Sequence, residues 1–315
     1  MTKIEIYDGL DPGKIASSGQ CFRVRSFRAK QSDPRKKSLA SADDVQTYVF
    51  VSGDRILHIK EVKTESETQT DADLQTGAAG FECKTKQVFE VSCDETEWHS
   101  FWHNYFDIGR SYRDVAARAK GKSEFADEAA KRGFGLRILR QEPWEMLVTF
   151  IISQRKSIPS IAKSVEKLAE KFGHEIKDGI RSFPSPEELA GASESDLAQC
   201  GLGYRVGYVQ DAVKKAVSGE LDLKTVSKLP DDKLLEKLKQ VRGVGEKVAN
   251  CIALFAYART ACAPADVWIN RAIEERFGGK SPFALFGDDA GIIQQYIFCY
   301  ERELAGIKAG LKIGI

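Results

Sequence analysis

The sequence predicts an α+β protein: an antiparallel sheet domain over residues 1–105, then an all-helical domain over residues 106–315. Three observations predict it. Short β-rich segments recur before about residue 97, helical spacing replaces them from about Thr96, and Val241 to Asn270 reads as a helix, a glycine hairpin and a second helix.

In the first region, Cys21-Phe22-Arg23-Val24, Tyr48-Val49-Phe50-Val51, Ile56-Leu57-His58-Ile59 and Val88-Phe89-Glu90-Val91 are short and rich in β-formers. Lys30 to Asp44 and Lys63 to Gly80 carry few large apolar residues and read as loops. Phe106-Asp107-Ile108 opens the connection to the helices, and Asp114 to Lys131 reads as one helix. Pro143 suits a first helical turn, followed by the apolar stripe Trp144, Leu147, Val148, Ile151 and Ile152. Ile161 to Phe172 is amphipathic, with Lys163, Lys167 and Lys171 on one face. Ser185, Pro186 and Glu188 have the spacing of a capped helix start.

The hairpin at about 234–256 holds the richest chemistry. Leu234, Leu235, Leu238 and Val241 share a helical rhythm, Gly243-Val244-Gly245 makes the turn, and Val248, Ala249, Ile252 and Phe255 resume the rhythm. Glycine lets the backbone approach a partner closely, and a helix N-terminus offers free N–H groups to a phosphate. Lys247 falls in the first turn of the second helix, where the positive end of the helix favours a neutral, nucleophilic amine. Asp266, in Pro264-Ala265-Asp266-Val267, can assist such an amine or stabilise developing positive charge. Taken alone, the same residues also read as a solvated lysine and a helix cap.

The 315 residues include 47 Lys plus Arg and 46 Asp plus Glu, a net charge of +1, so overall charge does not point to nucleic acid. Its distribution is uneven. Glu61 to Glu97 holds ten acidic and three basic residues, and Lys131 to Lys171 nine basic and four acidic, so a polyanion would favour the second region. The seven cysteines show no C-x-x-C spacing, which argues against a disulfide framework and for a reducing compartment. His99 and His103 stand four apart with no evident third ligand, and the interleaved Trp98, Phe101, Trp102, Tyr105 and Phe106 favour a packed surface over a metal site. With no secretory signal and no membrane-length apolar run, a soluble intracellular protein is expected, in the cytoplasm or nucleoid if bacterial.

The hairpin, Lys247 and Asp266 together resemble the helix-hairpin-helix, Gly/Pro-Asp DNA glycosylases, and most resemble the 8-oxoguanine DNA glycosylases. The resemblance runs from Ser18 to about Glu303. It implies a TBP-like antiparallel sheet domain before an all-helical glycosylase core. It implies that Lys247 attacks the sugar C1′ with help from Asp266. Ser18-Gly19-Gln20-Cys21-Phe22-Arg23 resembles the family's S-G-Q-x-F-R segment, whose glycine carbonyl accepts N7–H of 8-oxoguanine; Gly19 matches it. Gln294 and Phe298 resemble the family's Q-x-x-x-F, with glutamine on the Watson–Crick edge of the extruded base and phenylalanine on its face; Cys251 matches the cysteine on the other face.

The opposite-base elements depart from the family. Its asparagine-rich loop is replaced by Ser153-Gln154-Arg155-Lys156-Ser157, and one of its arginines aligns near Ser160. Gln154 and Arg155 are the residues here to plug the duplex, while Tyr204 and Arg205, in Gly201-Leu202-Gly203-Tyr204-Arg205, inherit a wedge and an opposite-base contact. Gly243 and Gly245 would approach the DNA backbone. The implied protein is a bifunctional glycosylase and β-eliminating AP lyase acting on duplex DNA. It is monomeric, without a membrane partner, redox cofactor or catalytic metal, and with room for a structural monovalent cation on the hairpin carbonyls. A glycosylase for alkylated or other oxidised bases, and a non-enzymatic helix-hairpin-helix binding module, are the alternatives. The family's four-cysteine iron–sulfur variant lacks its cysteines here.

Overall fold

A computed structural model describes residues 1–28, 46–62 and 86–308. The two loops expected between strands, at Lys30–Asp44 and Lys63–Gly80, lie outside the described residues.

Five strands form one antiparallel sheet in the order β1-β5-β4-β3-β2: β1 Thr2–Ile6, β2 Val24–Arg28, β3 Gln46–Ser52, β4 Arg55–Val62 and β5 Gln87–Val91. Alternation selects the inner face. Ile4 faces Phe89, Ile59 faces Val91 and Phe50 faces Leu57 across the ladders, and all six are buried. Three of the expected strand segments lie inside β3, β4 and β5. The Cys21–Val24 segment is corrected: the strand begins only at Val24, because Cys21 and Phe22 turn inward ahead of it. β1 and a short helix, Pro12–Ser17, were not anticipated; Asp11 caps that helix by accepting Lys14 N–H at 2.9 Å.

An aromatic seam joins the sheet to the helices. The chain is helical over Glu95–Glu97, widens into a π-helical turn at Trp98–Trp102 and finishes at His103–Tyr105. Trp98, Trp102, Tyr105 and Phe106 are buried beneath Phe50, whose ring meets Phe106 edge-on at 5.1 Å. Burial of side chains this large stabilises by about 1.5–3 kcal/mol each. His99 and His103 lie on this helix with ring centroids 6.1 Å apart, and no group of three metal-binding side chains occurs among the described residues.

The expected Asp114–Lys131 helix is two helices, Tyr112–Ala119 and Glu124–Gly133. Gly121 at φ +78° turns the chain and Ser123 caps the second helix. Arg137 follows, fully buried, donating to the carbonyls of Gly9 (2.7 Å), Asp107 (2.8 Å) and Asp8 (3.0 Å). It thereby ties the start of the chain to the start of the helical region. Pro143–Ser153 is buried on almost every side and packs against the second hairpin helix, Glu246–Tyr257, with Phe150 stacked on Phe255 at 5.6 Å. The amphipathic helix runs Ile158–Phe172, and Ser185 and Glu188 form the expected capping box. The last helix, Ala290–Lys308, packs on Glu124–Gly133, where a Cβ on Gly133 would stand 2.3 Å from the Tyr296 ring.

Candidate active site

The hairpin lies between helices Asp231–Lys239 and Glu246–Tyr257. Gly243 holds φ +85°, and a Cβ there would stand 2.4 Å from the ring of Tyr208, so this turn needs glycine twice over. Gly245 caps the second helix in open space at φ −93°. Lys247 projects from the first turn, its Nζ 5.2 Å from the centroid of the Phe150 ring. One helical turn later Cys251 is buried; desolvation pushes its thiol up, partly offset by the Lys247 ammonium beside it.

Asp266 is at once the cap that local sequence suggested and a wall of the site. Its Oδ1 accepts the N–H groups of Trp268 (3.0 Å) and Ile269 (2.9 Å), starting the helix Val267–Phe277. That fixes the carboxylate on the same cavity as Lys247.

The cavity has a volume of about 620 Å³, and Gly19, Lys247, Cys251, Asp266, Gln294 and Phe298 all line it. These six come from four separated segments of chain. Gly19 sits at φ +75°, and a Cβ would stand 2.9 Å from Ile158 Cδ1 and 3.7 Å from the Phe298 ring. Its loop is strapped down by Gln20, whose side chain bonds the Arg137 carbonyl (2.9 Å) and the Leu139 N–H (2.8 Å). Gln294 is 3% exposed, and its Oε1 is buried with no hydrogen-bond partner. An orphaned acceptor at a cavity wall costs about 1–3 kcal/mol, which a ligand donor would recover.

The residues expected to face the opposite base divide. Gln154 and Arg155 line the cavity edge. Arg155 is exposed at φ +52°, a conformation rare for a residue with a side chain. Tyr204 is 56% exposed in a 3-10 turn, edge-on to Tyr208. Arg205 is instead only 6% exposed. Its guanidinium lies 4.3 Å from the Tyr204 ring centroid and donates to the carbonyls of Leu202 (3.1 Å) and Gln154. The Gln154 side chain in turn donates to the Gly243 carbonyl at 3.0 Å. Gln154 and Arg205 therefore brace the Tyr204 turn, the 153–157 loop and the hairpin against one another.

Several members of the basic run Lys131–Lys171 are paired within the protein. Arg132 pairs with Glu128 and Glu303, Arg140 with Asp107 and Lys171 with Asp196. Lys156 bonds Ser164 and the Gly201 carbonyl, and burial lowers its pKa. Among the cavity residues that escaped the sequence reading are Gln295 and Arg302. The signal was present: Gln295 adjoins Gln294, and Arg302 stands one helical turn beyond Phe298.

A lysine just past a glycine hairpin and an aspartate capping the next helix thus share one cavity, the mark of a class of base-excision fold; residues 148–282 match the model described as "HhH-GPD superfamily base excision DNA repair protein". Residues 3–147 match "8-oxoguanine DNA glycosylase, N-terminal domain". The chain belongs to the 8-oxoguanine DNA glycosylase family of that superfamily. A structure of MBOgg1 with a low-affinity DNA ligand is 32% identical, covers 97% of each chain and superposes with a TM-score of 0.78. The 8-oxoguanine glycosylase/lyase of Clostridium acetobutylicum, with double-stranded DNA containing cytosine opposite 8-oxoguanine, is 26% identical over 97% of this chain and 99% of that one, TM-score 0.75. The N-glycosylase/DNA lyase of Saccharomyces cerevisiae is 35% identical over 152 residues, 44% of this chain and 40% of the yeast protein. The chain spans less than two thirds of the length of the curated relatives it matches first.

Proposed function

We propose that this protein removes 8-oxoguanine from duplex DNA and nicks the strand at the resulting site. The observation that carries the reading is the single cavity lined by Lys247, Asp266, Cys251, Gly19, Gln294 and Phe298. Its volume of about 620 Å³ suits an extruded nucleotide. The base enters between the Cys251 thiol and the Phe298 ring. The Gly19 carbonyl accepts N7–H, which normal guanine lacks, and Gln294 pairs with the Watson–Crick edge through its unpartnered amide oxygen and its amide N–H.

Lys247 gives up a proton and attacks C1′ through its amine, and the bond from C1′ to the base breaks with its electron pair leaving on the base, which takes up a proton. The Asp266 carboxylate stabilises the positive charge that develops at the sugar. The nitrogen on C1′ then gives up a proton, O4′ takes one up, and the C1′–O4′ bond breaks with its electron pair on O4′, which leaves a Schiff base on Lys247. Removal of a C2′ proton then expels the 3′ phosphate, and hydrolysis frees the enzyme. Arg155 and Tyr204, the exposed members of the DNA-facing set, enter the gap left by the base. The hairpin N–H groups receive backbone phosphate. The carbonyls of Val241 and Gly243 each accept one hydrogen bond and keep a lone pair, so they fit a monovalent cation that would hold the turn's shape.

Borohydride trapping on a duplex with 8-oxoguanine opposite cytosine, with Lys247→Gln alongside, is the test. A covalent adduct with the parent and none with the variant is expected. An adduct on abasic DNA alone would discard the base assignment, and none on either would sink the lysine mechanism.

A further inference from the structure

The carbonyls of Ser17 and Ser18, the two that precede Gly19, are both held by the last helix. Arg302 Nη1 donates to Ser17 O at 2.8 Å, and Gln295 Nε2 donates to Ser18 O at 2.8 Å. Gln295 is 3% exposed, so its bond is made out of water, where a donor left unpaired is costly. The Arg302 guanidinium also lies 5.4 Å from the centroid of the Phe298 ring. The peptides before Gly19 are held in this way, and Gln20 after it is bonded to Arg137 and Leu139, so the Gly19 carbonyl between them has little freedom. The same helix carries Gln294 and Phe298. One rigid element therefore bears two base contacts and clamps the loop that supplies the third.

We propose that Gln295 and Arg302 are positioning residues for lesion discrimination: they hold the Gly19 carbonyl at a set distance from Gln294 and Phe298, so that only a purine with a hydrogen on N7 seats fully. The proposal rests on the reading of the cavity as an 8-oxoguanine pocket. Neither side chain touches the reacting sugar in this scheme. Their loss should impair base release and spare the lysine chemistry.

Gln295→Met keeps the volume and removes the donor. It is compared with the parent in two single-turnover assays: release of 8-oxoguanine, and borohydride trapping on a duplex with a preformed abasic site. A displaced reader of this kind should cost roughly tenfold to a hundredfold in base release, with abasic trapping within about twofold of the parent. Arg302→Met, which keeps the aliphatic stem against Phe298, should show the same split, and the double variant should lose less than the product of the two. Gln295→Glu, whose carboxylate opposes a carbonyl, should recover release as pH falls and the carboxyl regains a proton to donate. Unchanged base release in Gln295→Met overturns the clamp while leaving the proposed function standing. An equal fall in both assays also overturns it, because the role is then one of general folding. A parent that traps on abasic DNA yet releases no 8-oxoguanine overturns the base reading, and the clamp's role with it.

Discussion

Replacing Gly243 by alanine should damage this protein far more than replacing Gly245, two residues away in the same turn. At Gly243 the backbone is left-handed, φ +85°, which costs a residue with a Cβ about 1–2 kcal/mol. The new Cβ would also stand 2.4 and 2.6 Å from Cδ2 and Cγ of Tyr208, the root of the ring rather than its free end. That ring cannot swing away cheaply, since Tyr204 meets it edge-on at 6.0 Å and Arg242 lies over it at 5.4 Å. Overpacking of this kind costs about 1–3 kcal/mol, for a total near 2–5 kcal/mol. Gly245 has open space around it and an ordinary φ; alanine there forfeits only its better cap preference, about 0.5–1 kcal/mol. Urea unfolding followed by circular dichroism measures both. A Gly243→Ala protein within about 1 kcal/mol of the parent, or a Gly245→Ala protein equally destabilised, would refute the account of the turn.

Substitution can separate the capping role of Asp266 from the catalytic one proposed for it. Asp266→Asn keeps an oxygen for the Trp268 and Ile269 N–H groups, so stability should stay within about 0.5 kcal/mol, while base release falls about a hundredfold or more; Asp266→Ala should in addition lose about 1 kcal/mol, visible in the same urea titration. His174 joins the halves of the molecule, its Nε2 2.8 Å from Asp54 in the β3–β4 turn and its Nδ1 3.0 Å from Glu188. Hydrogen bonds to Glu188 and Asp54 raise its pKa, so its contribution is complete below the unfolded value of about 6.5 and is lost as pH rises through the higher folded value. Comparing unfolding at pH 6 and pH 8, the parent should lose more stability than His174→Gln; equal losses would remove His174 as a pH-dependent tie.

The hairpin, the capped helix at Ser185 and the set of six cavity residues were all legible in the sequence, because each depends on short spacing or on a family pattern. Other features were not. The break at Gly121 lay inside a run of good helix formers, and one glycine is weak punctuation. β1 and the Asp11-Pro12 helix start carried usable signals, alternating Ile4 and Ile6 and a capping aspartate, but in segments too short to stand out. The pairing of the basic run was not legible. Arg132, Arg140, Lys156 and Lys171 look alike in sequence, and most of their partners, from Asp107 to Glu303, are brought to them by tertiary structure. Arg205 is the same case: its neighbours in sequence say nothing of the Gln154 carbonyl it holds.

The loop bearing Gly19 leaves the sheet after β1 and returns to it at β2, so the strand region sends one excursion into a cavity whose lysine and aspartate sit some two hundred residues later. In the proposed reading, one of the three base contacts thus lies far along the chain from the lysine and the aspartate, on a piece that can diverge separately. A lineage could retune which lesion is admitted by altering a handful of residues around Ser17 to Gln20 and their anchors, leaving the cutting apparatus intact. Conversely, a chain that lost that excursion would keep Lys247 and, with Cys251, Gln294 and Phe298, the walls of the cavity, but not the carbonyl proposed to sense N7–H.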